Sequence, residues 1–222
     1  MQYNYNHIFL ENRQISNTSA IRWSCFTAMV IGIAWIFTLF HIISVPALAF
    51  QIIAPVSIFI LLLPAVVNHL MHLSDILLVG SKGINLLTGL ILGCNLTAVF
   101  LLSSTLSHYA SIIWLLPTLI ACQYYSKRIT SHIFLGGFVG MILSFYVSIY
   151  LGIEDLYLAL VHLMPQLLIY CATYPLFMNI TKRTELLMKK QKLSMLAYQA
   201  KQTLDHLEEL PDTYITDCRI KM

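Results

Sequence analysis

The chain has 222 residues, of which 58 % are hydrophobic and 10 % charged, with a mean hydropathy of +0.75 and a formal net charge of +3. Soluble domains carry about 25 % charged and about 45–50 % apolar residues, so an ordinary soluble domain is excluded, as are a disordered chain and a disulfide-stapled secreted module. A surface this apolar needs a dry solvent outside it, which the bilayer supplies, and so small a net charge leaves no electrostatic footprint for nucleic acid.

A membrane-spanning helix needs about 20 mostly apolar residues. Six runs meet that description, near 23–44, 47–67, 84–102, 109–125, 132–151 and 156–180. The expected fold is all-α: a polytopic bundle of six transmembrane helices followed by a cytoplasmic exit helix. Residues 1–22 are then a cytoplasmic N-terminal segment, and 23–180 the transmembrane domain. The first run is too long for a signal-peptide core, and no small-residue cleavage site follows it, so it is expected to be retained. Val45-Pro46 turns the chain into the second run. The stretch from His69 to Gly83 has an apolar core too short to span, Ile76 to Val79, and is expected to be an interfacial or cytoplasmic loop.

The basic residues fix a direction. Arg13 and Arg22 precede the first run, Lys82 lies between the second and third, and Lys127 and Arg128 lie between the fourth and fifth. Lys182, Arg183, Lys189, Lys190, Lys192, Lys201, Arg219 and Lys221 follow the sixth. All fall on one side of a six-span arrangement. The other side has short connections near Val45-Pro46, Ser107-His108 and Gly152 to Asp155, without Lys or Arg. By the positive-inside rule both termini are cytoplasmic, in a multi-pass protein of the cell (plasma) membrane, the inner membrane of a bacterium. An odd number of spans would scatter these charges over both faces.

Composition changes after Ile180. Residues 181–210 are charged, lack Gly and Pro, and carry Leu186, Leu193, Ala200 and Leu207 every seven residues, with Leu196 and Leu210 three residues after Leu193 and Leu207. This is the a/d seam of a coiled coil, interrupted at Lys189 and Thr203. It predicts a signalling helix that continues out of the sixth run and is able to dimerise, ended by Pro211, with 211–222 a short tail. Lys182, Arg183, Lys189, Lys190 and Lys192 form a basic cluster that attracts anionic lipid by about 1 kcal/mol each; topology retention alone also accounts for it.

Catalytic motifs are absent. HExxH, GxSxG, the Walker A loop and GxGxxG do not occur, and no Asp, Glu, Lys or Arg lies centrally in any of the six runs. Intramembrane charges usually mark proton or ion paths, so the expectation is a protein without enzymatic activity, cofactor or metal. The cysteines Cys25, Cys94, Cys122, Cys171 and Cys218 form no CxxC and read as small hydrophobes.

The polar candidates are few. His162 and Gln166 stand four residues apart in run six and share a face. Asn95 and Gln51 are polar groups in runs three and two. These four either line a small ligand cavity or tie helices together, at roughly 0.6 kcal/mol per bond in membranes. His69 and His72 form an HxxH pair that provides two metal ligands at most, or two interfacial histidines. Gly136 and Gly140 make a GxxxG helix-packing pair, with Gly137 beside them. Pro55, Pro64, Pro117, Pro165 and Pro175 predict kinks in runs two, four and six.

Two local stretches carry a resemblance. Residues 117–128 read PTLIACQYYSKR, a proline-bearing fourth helix ending in aromatic-Ser-Lys-Arg. Residues 204–211 read LDHLEELP, similar to the DxLTGLPNR onset of diguanylate cyclase domains at Asp205, Leu207, Leu210 and Pro211. Glu208 and Glu209 stand where that pattern has Thr and Gly, and Asp212 and Thr213 where it has Asn and Arg. With six helices, tiny outer loops and an exit helix, residues 20–210 resemble the membrane sensor module of bacterial signalling proteins. Membrane diguanylate cyclases are nearest, followed by sensor histidine kinases and six-helix adenylyl cyclases. No GGDEF signature, kinase ATP box or cyclase metal aspartates are found in the sequence. The resemblance implies a sensor module without its output domain, working as a homodimer or with a cytoplasmic signalling partner. The outer loops are so short that its signal must be small, lipophilic or a property of the bilayer. The alternative is a small-molecule membrane binding or transport subunit, the substrate-capture component of an importer. That role needs several polar side chains from different helices converging near the outer face.

Overall fold

A computed structural model describes residues 2–40, 42, 47–73, 81–106, 109–153 and 155–208, without the side chains of 2–11, 47, 48, 72, 73, 81, 192 and 205–208. The expected turns at Val45-Pro46 and Ser107-His108, the stretch Ile76 to Val79, Pro211 and the tail lie outside the described residues. Among those described the chain is six α-helices and no strand: α1 Gln2–Leu39, α2 Ala47–Leu73, α3 Ser81–Thr105, α4 Ala110–Cys122, α5 Lys127–Tyr150 and α6 Leu156–Glu208. Five are long and apolar enough to cross a membrane, over Asn12–Leu39, Ala49–Met71, Lys82–Thr105, Lys127–Tyr150 and Leu156–Leu204, as in a multi-pass membrane protein. α4 has only 13 residues. At about 1.5 Å per residue it covers about 20 Å of a hydrocarbon core about 30 Å thick.

Two boundaries differ from expectation. α1 is helical from Gln2, well before the run that opens at Trp23. The reason lies in the partners: Ser16, Asn17 and Ser24 are polar, yet buried against other helices. α2 runs on to Leu73, carrying His69 as an exposed residue of its last turns. α6 continues past Ile180 as one helix through Glu208, the continuation out of the sixth run that its composition predicts. Residues 181–208 contain no Gly or Pro to stop it. The prolines Pro55, Pro64, Pro117, Pro165 and Pro175 do sit inside α2, α4 and α6.

By contacts the chain forms two compact units, residues 1–181 and 182–222. In the first, α3 is the central helix and touches α1, α2, α4 and α5. Four apolar clusters record the helix directions. At one end Ala20 and Ile21 of α1, Met71 of α2, Leu87 of α3, Tyr124 after α4 and Ile133 of α5 meet. At the other, Trp35 of α1, Phe50 of α2, Leu102 of α3, Leu106 just after α3 and Ile113 of α4 meet. Successive helices therefore run antiparallel. A third cluster, built on Trp114, Met141, Phe145, Ala159, Tyr170 and Phe177, holds α6 to α4 and α5. The smallest, Ala28, Leu61 and Ala98, lets α1, α2 and α3 approach closely.

The charges sort by end as well. Arg13 stands three residues before Ser16, whose hydroxyl bonds the Gln123 carbonyl at 3.0 Å. Lys82 stands two residues before Ile84, whose carbonyl accepts from Asn17 at 3.3 Å. Lys127 and Arg128 open α5 beside the same turn. That turn closes tightly: Tyr125 adopts φ +52°, and Ser126 accepts from the Ile129 N–H to cap α5. A non-glycine residue in the left-handed region costs of order 1 kcal/mol, which the packing of buried Tyr124 beside it offsets.

Candidate functional site

The residues that join α6 to the bundle form the most elaborate contact in the first unit. Trp114 of α4 is buried, and its indole N–H donates to Ser103 of α3 at 3.1 Å. Its ring lies over Gly140 of α5, where a Cβ would collide with it. Tyr170 of α6 reaches across to α5, and its hydroxyl donates to the Phe134 carbonyl at 3.1 Å. It stands 3.2 Å from the Thr118 hydroxyl of α4. The Tyr170 ring stacks on Phe134 with centroids 4.3 Å apart, and Tyr174 leans on the same ring at 4.7 Å. Gly137 makes room for the Tyr170 hydroxyl, because any side chain there would meet it. Two glycines on one face of α5 thus accept two aromatics from α4 and α6.

Two further ties flank this knot. Toward the start of α6, Gln166 Oε1 accepts from the backbone N–H of Ser111 at 2.9 Å. The first N–H groups of any helix lack intrahelical partners. Tyr109, at the N-cap of α4, makes no side-chain cap bond, so Gln166 caps α4 from a different helix. At the other end, the Thr181 hydroxyl donates to the Phe177 carbonyl at 2.9 Å and lies 3.3 Å from the Thr130 hydroxyl. Cys122 Sγ of α4 is 3.4 Å from the same Thr181 hydroxyl. Thr181 closes the first compact unit, and Lys182 opens the second.

The sequence candidates fall in different places. Gln166 belongs to the α6 seat, and His162 lies half-buried one turn before it. Asn95 is in the α1–α3 interface, where its amide donates to Ser24 Oγ and the Ile91 carbonyl, both at 2.8 Å. Gln51 is half-buried near the start of α2, and its backbone carbonyl accepts from Trp35 Nε1 at 3.2 Å. Their described hydrogen bonds run to different helices and do not join the four residues. Of the expected glycine pair, Gly140 packs under Trp114, while Gly136 faces outward with nothing within 4 Å of a Cβ. The close-packed pair on α5 is therefore Gly137 and Gly140, three residues apart rather than four.

In the second unit Leu186, Leu193, Leu196 and Ala200 are all exposed, as are Lys182, Arg183 and Lys190. Lys189 pairs with Glu185 at 2.9 Å, one helical turn away. The side chains of Lys192 and Leu207 lie outside the described residues.

Sequence reasoning missed Trp114, Tyr170, Thr118, Thr130 and Thr181, and a polar ladder between α1 and α3. Thr88 Oγ1 donates to Asn17 Oδ1 at 3.0 Å, and seven residues further along both helices Asn95 donates to Ser24. The two bonds share one separation, 71 residues. The signal was available: Asn17 and Ser24, like Thr88 and Asn95, repeat at seven residues. Two parallel helices that pair at heptad spacing keep one face toward each other.

No family model matches the chain, and no curated protein or solved structure matches it.

Proposed function

We propose that the chain is an integral membrane sensor or regulatory module, without catalytic activity of its own. In it α6 carries a small-molecule or bilayer signal from a six-helix bundle to a cytoplasmic partner or output domain. The observation that carries this reading is the continuity of α6, one helix from its seat on α4 and α5 through the apolar seam that follows. Seam pairing at Leu186, Leu193, Leu196, Ala200 and Leu207, in a homodimer or with a cytoplasmic protein, is the readout.

Magnitudes favour a movable α6. A signal shifts a two-state element only by its unequal affinity for the states, typically 1–3 kcal/mol of coupling. The polar ties of α6 at Gln166, Tyr170 and Thr181 are worth roughly 0.6 kcal/mol each in a membrane. Together they match what one ligand supplies. Most of the α6 surface between Leu156 and Ile180 is exposed, so its restraint rests on these ties and on the apolar cluster around Tyr170 and Phe177.

The basic end of the bundle faces the cytoplasm in this reading, and both termini lie there. Lys182, Arg183, Lys189, Lys190 and Lys192 then meet anionic lipid. α4 serves as the fourth crossing despite its length. Its polar ends are covered by protein rather than lipid, Ser111 by Gln166 and Gln123 by Ser16, which is the condition for irregular backbone at membrane depth.

One observation favours the capture-component alternative. Ser103, Ser104, Thr105, Ser111, Ser144 and Ser148 are all buried toward the far ends of α3, α4 and α5. Against it, Ser103, Ser104, Thr105 and Ser144 already donate to carbonyls of their own helices. Their donors are spent on the fold, and the sensor reading is preferred.

Membrane-impermeant maleimide labelling of single cysteines tests the arrangement. With the native cysteines replaced, Asp155→Cys is expected to label in intact cells. Arg128→Cys and Gln199→Cys are expected to label only after permeabilisation. Labelling of Arg128→Cys from outside would remove the cytoplasmic exit helix and the reading with it.

A further inference from the structure

The outward face of α1 carries an open groove of about 300 Å³, lined by Ser19, Arg22, Trp23 and Phe26. Trp23 and Phe26 are half exposed and meet edge to face, with centroids 5.8 Å apart at 86°. Arg22 is exposed, and among the described residues no hydrogen bond or ion pair holds it. It also lies deeper than the other cations of the first unit. Nine residues separate it from Arg13, about 13 Å along the helix axis.

We propose that this groove is a binding site for one anionic phospholipid. A guanidinium on the lipid-facing side of a span is costly unless an anion meets it. The exposed guanidinium is complementary to a phosphate, and the lipid around a span is a source of one. Guanidinium and phosphate pair through two parallel N–H···O bonds. Ser19, three residues before Arg22, shares its helix face and adds a hydroxyl donor to the same phosphate. A long basic side chain on a helix reaches back toward the N-terminus, which on α1 is the basic end, where headgroups lie. Trp23 and Phe26 then take the glycerol and upper acyl chain, as amphipathic and aromatic rings do at the membrane boundary. The site is distinct from the basic cluster after Thr181, which meets a surface rather than a single molecule. It rests on the multi-pass reading but not on the signalling role.

Native mass spectrometry of the purified full chain tests it, in detergent containing equal phosphatidylglycerol and phosphatidylcholine. The expected result is one retained phosphatidylglycerol per chain. Arg22→Gln should cut its retention about fivefold, the weight of one basic side chain near an anionic surface. Trp23→Ala should reduce it too. Lys127→Gln removes the same charge from the same end, outside the groove, and should leave retention unchanged. Arg22→Lys keeps the charge and the fold but loses the paired bonds, and should fall between wild type and Arg22→Gln. Unchanged retention in Arg22→Lys and Arg22→Gln overturns the proposal. So does an equal loss in Lys127→Gln, which would mean diffuse surface charge. Displacement of the lipid by millimolar inorganic phosphate would assign the groove to a free anion and overturn it as well.

Discussion

Trp114→Ala is expected to lower the unfolding free energy of the bundle by about 3–5 kcal/mol, the range for truncating a buried Trp or Phe. In lipid the tails are as apolar as the side chains, so burial from water does not drive helices together. What holds them is close packing and interhelical hydrogen bonds, and Trp114 supplies both. Its ring fills the space over Gly140, and its N–H joins Ser103 of α3 to α4. Truncation leaves a cavity at the meeting of α3, α4 and α5, which the flanking backbones are too constrained to close. Trp114→Phe should cost less, because most of the ring volume stays and chiefly the Ser103 bond is lost. Trp23→Ala is the control: Trp23 is half exposed, and the change should stay within about 0.5 kcal/mol. Equilibrium unfolding in a denaturing detergent, followed by circular dichroism, measures all three. A loss below about 1 kcal/mol for Trp114→Ala would mean that α4 is not clamped this way.

The second large effect separates three neighbouring glycines. Gly137→Ala and Gly140→Ala are each expected to destabilise by about 1–3 kcal/mol, the usual cost of overpacking. At Gly137 the new methyl meets the Tyr170 hydroxyl and the Trp114 ring; at Gly140 it meets the Trp114 ring alone. Neither ring can retreat cheaply, because Tyr170 is stacked on Phe134 and Trp114 is bonded to Ser103. Gly136→Ala meets open space and should be neutral or gain about 0.5–1 kcal/mol, as alanine does over glycine inside a helix. The same unfolding titration reads all of them. A Gly136→Ala loss as large as the other two would place the close contact on the opposite face of α5. Cross-linking between α5 and α6 should also weaken in Gly137→Ala, since that methyl pushes Tyr170 away.

The contrast between Gly136 and Gly137 shows what the amino-acid sequence makes legible. Apolar runs of about 20 residues are visible because each residue contributes to hydropathy alone, whatever touches it. α2, α3 and α5 follow from that property with only their ends moved. The phase of a helix is different, because it depends on partners elsewhere in the chain. The GxxxG spacing pointed to the correct stretch of α5, yet it is Gly137 that faces Tyr170, 33 residues away. Asn95 was visible as a polar group in a span, while its partner Ser24 lies 71 residues earlier. The start of α1 was hidden for the same reason. Ser16 and Asn17 read as solvated until Gln123, Ile84 and Thr88 are placed beside them. The shortness of α4 was masked by Tyr124 and Tyr125, apolar by count but part of a turn. Continuity of α6 was legible, because residues 181–208 contain no Gly or Pro to stop the helix that the sixth run begins.

The polar seat of α6 stayed out of sight because Thr and Ser are common in membrane helices and usually bond their own backbone. Thr118 and Thr181 do this and also reach a neighbouring helix, and the Thr130 hydroxyl of α5 meets that of Thr181. The sequence left Gln166 either at a ligand cavity or as a tie between helices; in the structure its carbonyl oxygen caps α4. A side chain that satisfies a helix end in another segment ties the two together.

In-membrane disulfide formation between single cysteines at Leu186, Leu193, Leu196 and Ala200, with the native cysteines replaced, tests most directly whether α6 ends in a pairing helix. Parallel pairing along the seam predicts strong cross-linking at these four positions and weak cross-linking at Leu187 and Met195, which are exposed but off the seam. Equal cross-linking at all six positions, or none at any, would contradict a specific homodimeric seam and leave α6 to act through a different protein.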